Sequence, residues 1–261
     1  MNLSEIIGHD DIKAQLQTMH KQKNVPQVMI FHGRKSIGKQ NLALAFAKEL
    51  LNTEKEQHVD LIRYHPDKEK YDIKKIKDIL KELSFPPYES ECKVMLLDDV
   101  DKMLPVHSNA LLKTLEELES NAYVFLISSS LQDVLPTIRS RASHVKCNAL
   151  SPDNIKNILK QSSIELNSYL HDGSLERALF FQKEKKALPL IFSLMDAFMA
   201  SDPSKIITLS EEIERVYITN TDLFWKTWYQ LCRDLALVQF NLKENCIFSE
   251  YTDQLAQWAP K

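Results

Sequence analysis

The chain reads as an α/β protein with a parallel sheet, continued by an all-helical region. Three observations predict this. Short apolar runs alternate with amphipathic segments through roughly the first 150 residues, as in sheets covered on both faces. One run flows into a glycine-bearing loop that opens a helix, the strand–loop–helix order of a phosphate-binding loop. Beyond Ser151 the periodicity is almost only helical.

Val28-Met29-Ile30-Phe31 is the first buried-strand run, and Gly33-Arg34-Lys35-Ser36-Ile37-Gly38-Lys39-Gln40 follows it. The chain has only 4 glycines, and two of them, Gly33 and Gly38, fall in this loop, which marks special backbone geometry. The motif G-x-x-x-x-G-K-[ST] works because loop N–H groups cradle phosphates, the lysine reaches the outer phosphates and the hydroxyl ligates Mg²⁺. Gln40 stands at the hydroxyl position. Its amide on a two-carbon stem is a poor substitute, because Mg²⁺ demands octahedral ligands at about 2.0–2.1 Å. ATP and Mg²⁺ binding is therefore expected to be weak.

Leu42, Ala43, Ala45, Phe46, Ala47, Leu50 and Leu51 continue as a helix. Apolar residues at 73, 76, 79, 80 and 83 predict an amphipathic helix that Pro86-Pro87 closes. Val94-Met95-Leu96-Leu97 is a second strand and delivers Asp98-Asp99, the form of a Walker B strand that carries a carboxylate towards Mg²⁺. A helix is expected over 109–118 and a third strand over 123–127, ending at Ser128 and Ser129. Ser151-Pro152-Asp153 signals a helix start. Pro189 and Pro203 are candidate breaks between later helices. From Leu223 to Phe240, Phe224, Trp225, Trp228, Tyr229, Leu231, Leu235 and Val238 crowd one helical stretch, read mostly as core.

Bulk properties narrow the function classes. A hydrophobic content of 44% and a charged content of 26% are those of a soluble globular protein. The net charge of −3 argues against a surface coated by nucleic acid. Lysines at 74, 75, 77 and 81, and at 183, 185 and 186, are interleaved with acids and read as solvated faces. The cysteines, Cys92, Cys147, Cys232 and Cys246, are scattered, so reduced thiols in a cytoplasmic protein are expected. No apolar run reaches the ~18 residues of a membrane span, and the start lacks the pattern of a signal peptide.

Two further strings carry a resemblance. Asn109-Ala110-Leu111-Leu112-Lys113-Thr114-Leu115-Glu116-Glu117 and Leu135-Pro136-Thr137-Ile138-Arg139-Ser140-Arg141-Ala142, with the loop, resemble the bacterial clamp-loader AAA+ family. Its members read N-A-L-L-K-x-L-E-E after Walker B and Ser-Arg-Cys after the next strand. Ile7-Gly8-His9-Asp10, His65-Pro66-Asp67, Lys93-Val94 and Gly173-Ser174-Leu175-Glu176-Arg177-Ala178-Leu179 also fit, so the resemblance spans about residues 3–180 in order. Within the family the pattern is similar to the delta-prime subunits of bacterial DNA polymerase III. Gln40 and Asp99, where active members have a hydroxyl and a glutamate, point to that non-hydrolysing type rather than to the gamma and tau motors.

The resemblance implies an AAA+ domain over 1–150, a helical lid over 151–186 and a helical collar over 187–261. It implies that Arg141 is an arginine finger acting on a neighbouring subunit's ATP site, for which a planar, permanently charged fork suits phosphoryl oxygens. Ala142 replaces the signature cysteine and leaves that arginine in place. Ser128 or Ser129 would stand at the sensor-1 position, and Arg177 at the lid's sensor-2 position, touching the chain's own nucleotide. No cysteine lies between Leu51 and His65, where many members insert a zinc module, so no zinc and no other metal site is expected, and His58 and His65 read as surface or packing residues.

The implied partners are gamma/tau-type and delta-type clamp-loader subunits, the sliding clamp indirectly, and primed DNA through the complex, with no membrane. The implied setting is a DNA-directed DNA polymerase holoenzyme, a nucleotidyltransferase whose chemistry lies in other chains. The competing readings are a competent gamma-type ATPase and a nucleotide-binding regulatory module outside replication.

Overall fold

A computed structural model describes residues 2–55, 57–66, 71–119, 121–161, 174–218, 220–248 and 251–258. Asp67 and Gly173, quoted above in family motifs, lie outside the described residues. The chain divides into two compact units, Met1–Ser151 and Pro152–Lys261, so the expected lid and collar both fall in the second.

The first unit runs α1 (Asp10–Lys21), β1 (Val28–His32), α2 (Lys39–Leu50), β2 (Leu61–Tyr64), α3 (Ile73–Leu83), β3 (Lys93–Leu97), α4 (Pro105–Glu116), β4 (Ala122–Ser128), α5 (Pro136–Arg139) and β5 (Ser143–Lys146). The five strands form one sheet in the order β2-β3-β4-β1-β5, every described pairing parallel. Three strands match the apolar runs of the sequence. The other two, β2 and β5, are four residues long and partly exposed, too short and too polar to stand out.

Strand alternation builds two cores from one sheet. Met29, Phe31, Val94, Leu96, Phe125 and Ile127 pack on one face with Leu16, Leu42, Ala43, Phe46 and Ala47 of α1 and α2. Val28, Ile30, Met95, Leu97, Val124 and Leu126 pack on the other with Ile76, Ile79, Leu83, Leu111 and Leu115 of α3 and α4. Three buried alanines at 43, 45 and 47 bring α2 close enough for Phe46 to stack on Phe125, ring centroids 5.5 Å apart.

Local signals set the helix ends. Asp72 caps α3 by accepting from Lys74 N at 3.1 Å. Lys93, fully buried, donates to the carbonyls of Glu82 and Phe85 at 2.9 and 2.7 Å, placing a cation at the C-terminus of that helix. Asp60, also fully buried, accepts from the backbone N–H of Tyr88, Glu89 and Ser90 at 2.5, 2.9 and 2.8 Å. Its carboxylate thus ties the segment after α3 to the entry of β2. His58 joins this knot, its Nδ1 accepting from Asp60 N at 3.1 Å, which gives it a packing role. All four cysteines are free thiols, and among the described residues no group of His, Cys, Asp or Glu is arranged to hold a metal. No described helix is long and apolar enough to cross a membrane.

The second unit is helical: α6 (Pro152–Gln161), α7 (Leu175–Lys183), α8 (Ala187–Met199), α9 (Pro203–Tyr217), α10 (Thr221–Gln239) and α11 (Thr252–Trp258). Pro152 and Pro203 open helices as read. Pro189 corrects the expectation of a break: it sits in the first turn of α8, where its missing N–H has no intrahelical acceptor to lose. Trp258 donates to Asp196 at 2.6 Å and ties α11 to α8. The aromatic stretch divides. Leu231 and Val238 are buried, whereas Trp225, Tyr229 and Phe240 are 61%, 70% and 75% exposed.

Burial pushes the Asp60 carboxyl up, but the three backbone donors outweigh it and hold its pKa below the ordinary value. A carboxylate depressed in the folded state contributes stability that is complete above its unfolded pKa, near ~3.9, and is lost as pH falls through the folded value. Asp60→Asn should cost about 1–3 kcal/mol at pH 7. In thermal melts it should also flatten the decline in Tm below about pH 4.

Candidate functional site

All strands run the same way, so the loops after β1, β3 and β4 share the carboxyl edge of the sheet, where ligands of open α/β sheets bind. The loop after β1 is held by close packing. Cys147 N donates to His32 O at 2.7 Å, and a Cβ added to Gly33 would sit 2.2 Å from the Cys147 carbonyl oxygen. Ser36 and Gly38 turn through φ of 58° and 91° before α2 begins. His9 Nε2 lies 2.8 Å from Ile37 O, so the opening motif at Gly8-His9 braces the loop, a contact that spacing alone does not disclose.

Lys39 is the first residue of α2 and is buried, with Nζ donating to Arg34 O within its own loop at 2.6 Å. Burial lowers its pKa, opposed by the Cys147 thiol and by Asp101, Asp98 and Asp99, which identifies the charges that share its surroundings. Burial pushes the Cys147 thiol up to about 11. Gln40, next on α2, is half-buried.

The two acids after β3 are both engaged. Asp98 Oδ1 accepts from Asp99 N at 3.0 Å, while Oδ2 lies 3.3 Å from His65 Nδ1. Tyr71 donates its hydroxyl to the Asp98 carbonyl. Asp99, with φ of 47°, accepts from Lys102 Nζ at 2.6 Å, and that hydrogen bond raises the lysine's pKa. Ser128 and Ser129 turn to Asp101: Ser128 Oγ lies 3.0 Å from its carboxylate, and Ser129 donates from N at 3.1 Å and from Oγ at 2.6 Å. Burial raises the Asp101 pKa, but these hydrogen bonds more than reverse it and hold the carboxyl below the usual range.

Sequence reasoning missed Asp101 and the pairing of His65. The parallel register sets Tyr64 beside Leu97, so the residue after each strand, His65 and Asp98, must also be neighbours. A β2 assignment was the signal needed to find that pair.

Arg141 sits elsewhere. In the register of β1 with β5, Ser143 pairs with Met29 and Lys146 with His32. Arg141 therefore lies before the amino end of β5, and the glycine loop lies past the carboxyl end of β1. At ~3.3 Å per residue, the five steps from 141 to 146 put it on the order of 15 Å from that loop along the strands. Its Nε donates to Glu116 at 2.5 Å, its Nη2 also bonds Glu116, and Nη1 donates to Thr137 O at 2.8 Å. The same turn is fastened by His144 Nε2 on Arg139 O at 2.9 Å.

Arg177, expected at the sensor-2 position, is engaged within the second unit. It is buried in the second unit, where its Nη2 lies 3.3 Å from Thr227 Oγ1 and also bonds Gln230, both on α10, and it stands over the Phe181 ring at 5.7 Å. These contacts join α7 to α10. The structure thus brings Lys39, Asp98, Asp99, Ser128 and Ser129 to one edge of the sheet, sets Arg141 at the other, and commits Arg177 to the helical unit.

A family model described as DNA polymerase III, delta subunit, matches residues 8–151. A Replication factor C small subunit from Methanococcus maripaludis strain C7 is 28% identical over 222 residues, 81% of this chain and 64% of that protein. A DNA polymerase III subunit gamma from Buchnera aphidicola is 36% identical over 119 residues, 41% of this chain and 32% of that protein. The chain spans less than two thirds of the length of these relatives. Among solved structures, a Thermotoga maritima protein related to the DNA polymerase III gamma subunit aligns with a TM-score of 0.52 at 18% identity, covering 93% of this chain and 92% of that one. A Thermotoga maritima RuvB variant aligns with a TM-score of 0.53 at 15% identity, covering 80% and 71%. At these identities the two structures speak for the fold alone.

Gly33→Ala should cost about 1–3 kcal/mol, because the added methyl meets a backbone oxygen that cannot retreat without disturbing the β1–β5 pairing. Gly38→Ala meets nothing within 4 Å and should cost only the ~1 kcal/mol of its left-handed φ. Denaturant melts of the two variants test this order.

Proposed function

The chain belongs to the clamp-loader AAA+ family through its match to DNA polymerase III, delta subunit, and from that premise we propose that it is a delta-prime-type, stator-like subunit. In this reading it helps a replication clamp loader place the sliding clamp on primed DNA, together with gamma/tau-type and delta-type subunits. Its own loop contributes no ATP turnover.

The position of Arg141 carries the reading. An arginine on the order of 15 Å from its own glycine loop, on the opposite edge of the sheet, is badly placed to act there and well placed to face a neighbour. Gln40 and Asp99 add support, since the first lacks the hydroxyl that Mg²⁺ needs and the second is already paired with Lys102. The exposed Trp225 and Tyr229 of α10, with Phe240 just past its end, supply apolar surface that a helical collar would bury between subunits.

In a complex reconstituted with the remaining clamp-loader subunits, Arg141→Ala should preserve assembly and lower clamp- and DNA-stimulated ATP hydrolysis. Arginine fingers are worth about 10³–10⁵ in rate where measured in other phosphoryl-transfer systems, and a ring with other intact fingers should lose less. Arg141→Lys should rescue poorly, because an ammonium lacks the bidentate fork. A correctly assembled Arg141→Ala complex with wild-type rates would refute the proposal.

One observation favours a gamma-type ATPase instead: the match to the Buchnera gamma subunit, joined to an intact Gly33, Gly38 and Lys39. The isolated chain decides between the two. A competent enzyme should turn over at about 1 s⁻¹ or faster and lose that activity in Lys39→Ala. The proposed subunit should show no turnover above background in either form.

A further inference from the structure

We propose that Glu116 is a positioning residue for Arg141, aiming its guanidinium outward while leaving phosphate-binding donors available. The inference rests on the reading of Arg141 as a finger for a neighbouring subunit. It begins from a local misfit. Glu116 is the last residue of α4, where the helix dipole disfavours an anion, so helix chemistry does not account for it. What it does touch is the arginine.

A guanidinium offers five N–H donors in a fixed plane. Glu116 Oε1 receives the Nε–H at 2.5 Å and also bonds Nη2, so it holds the side edge of the fork. Thr137 O takes Nη1 at 2.8 Å. The remaining contact, Nη1 to Ser140 Oγ at 3.4 Å, is longer than a well-formed hydrogen bond. Nη2 keeps a second N–H without a partner among the described residues, and it lies on the end edge that a phosphoryl group would meet.

The pair is half exposed, with side-chain exposures of 38% for Arg141 and 47% for Glu116. Ion pairs in that setting add little to stability. Three anchors on one long side chain do restrict its rotamers, and a catalytic group misplaced by ~1 Å can lose two orders of magnitude in rate. Glu116 closes α4 and Arg141 follows α5, so the anchor also joins two elements of the α/β unit at the amino edge of the sheet.

The test uses the reconstituted clamp loader and the full chain by itself. Glu116→Ala should leave melting and assembly unchanged and lower stimulated ATP hydrolysis about two- to fivefold. Glu116→Gln, which keeps an acceptor oxygen but not the charge, should fall between. The double variant Glu116→Ala/Arg141→Ala should be no slower than Arg141→Ala. In ¹⁵N spectra of the full chain, the Arg141 Nε–H should be protected from exchange, and Glu116→Ala should abolish that protection.

A Glu116→Ala complex at wild-type rate beside a slowed Arg141→Ala complex overturns the inference and spares the finger reading. A double variant slower than Arg141→Ala also overturns it, because Glu116 would then act apart from the arginine. An Nε–H equally exposed with and without Glu116 removes the geometric basis. If Arg141→Ala itself assembles and runs at wild-type rate, the finger reading falls and takes this inference with it.

Discussion

The pairing of β1 between β4 and β5 governs where the glycine loop and Arg141 end up. Because β5 runs parallel to β1 with Lys146 beside His32, the chain after β5 passes directly over the start of the loop, and its Cys147 carbonyl leaves Gly33 no room for a side chain. The loop is thereby clamped at the end where it leaves the sheet, and it is braced at Ile37 by His9. The same register carries Arg141 to the opposite edge. One strand pairing thus fixes the glycine loop at one edge and Arg141 at the other.

The carboxyl edge satisfies its charges internally. Lys39 turns back to its own loop carbonyl, Asp99 to Lys102, Asp98 towards His65, and Asp101 to the two serines after β4. A metal or nucleotide arriving here would have to break at least some of these contacts, and each buried group that lost its partner would carry a desolvation cost. Asp99 in particular already accepts from the Lys102 ammonium at 2.6 Å. The amino edge differs. There Glu116 and Arg141 neutralise each other across a half-exposed pair.

Legibility from sequence followed strand length and helix periodicity. β1, β3 and β4 were readable because fully buried strands of a parallel sheet are continuous apolar runs, and α3 because its apolar face repeats at helical spacing. β2 and β5 were not, since four residues at the sheet's edges with only one buried member each give no such run. That loss propagated: without β2 there was no reason to set His65 beside Asp98, and without β5 no way to see which edge Arg141 occupies. Pro189 misled because proline was weighed as a helix breaker without asking whether it fell in a first turn. For Arg177, a motif match locates the residue in the chain but not its partners, which lie some 50 residues further along on α10. Glu116 was quoted as part of a string, and only packing showed what it holds.

The helical unit completes the physical picture through what it leaves uncovered. α10 contributes Leu231 and Val238 to a core that includes Phe192, Tyr217 and Trp258, so its inward face is filled. Its outward face still carries Trp225 and Tyr229, four residues and so about one turn apart at ~3.6 residues per turn, and Phe240 stands exposed just past its end. Exposed aromatics are costly to leave in water at about 25 cal/mol per Å² of apolar surface, and a single one would call for no explanation. Trp225 and Tyr229 one turn apart are a different matter, because together they offer apolar surface that a neighbouring helix can bury. The helical unit is thus filled on its inward side and leaves two aromatic rings, one turn apart on α10, with apolar area still to gain by burial.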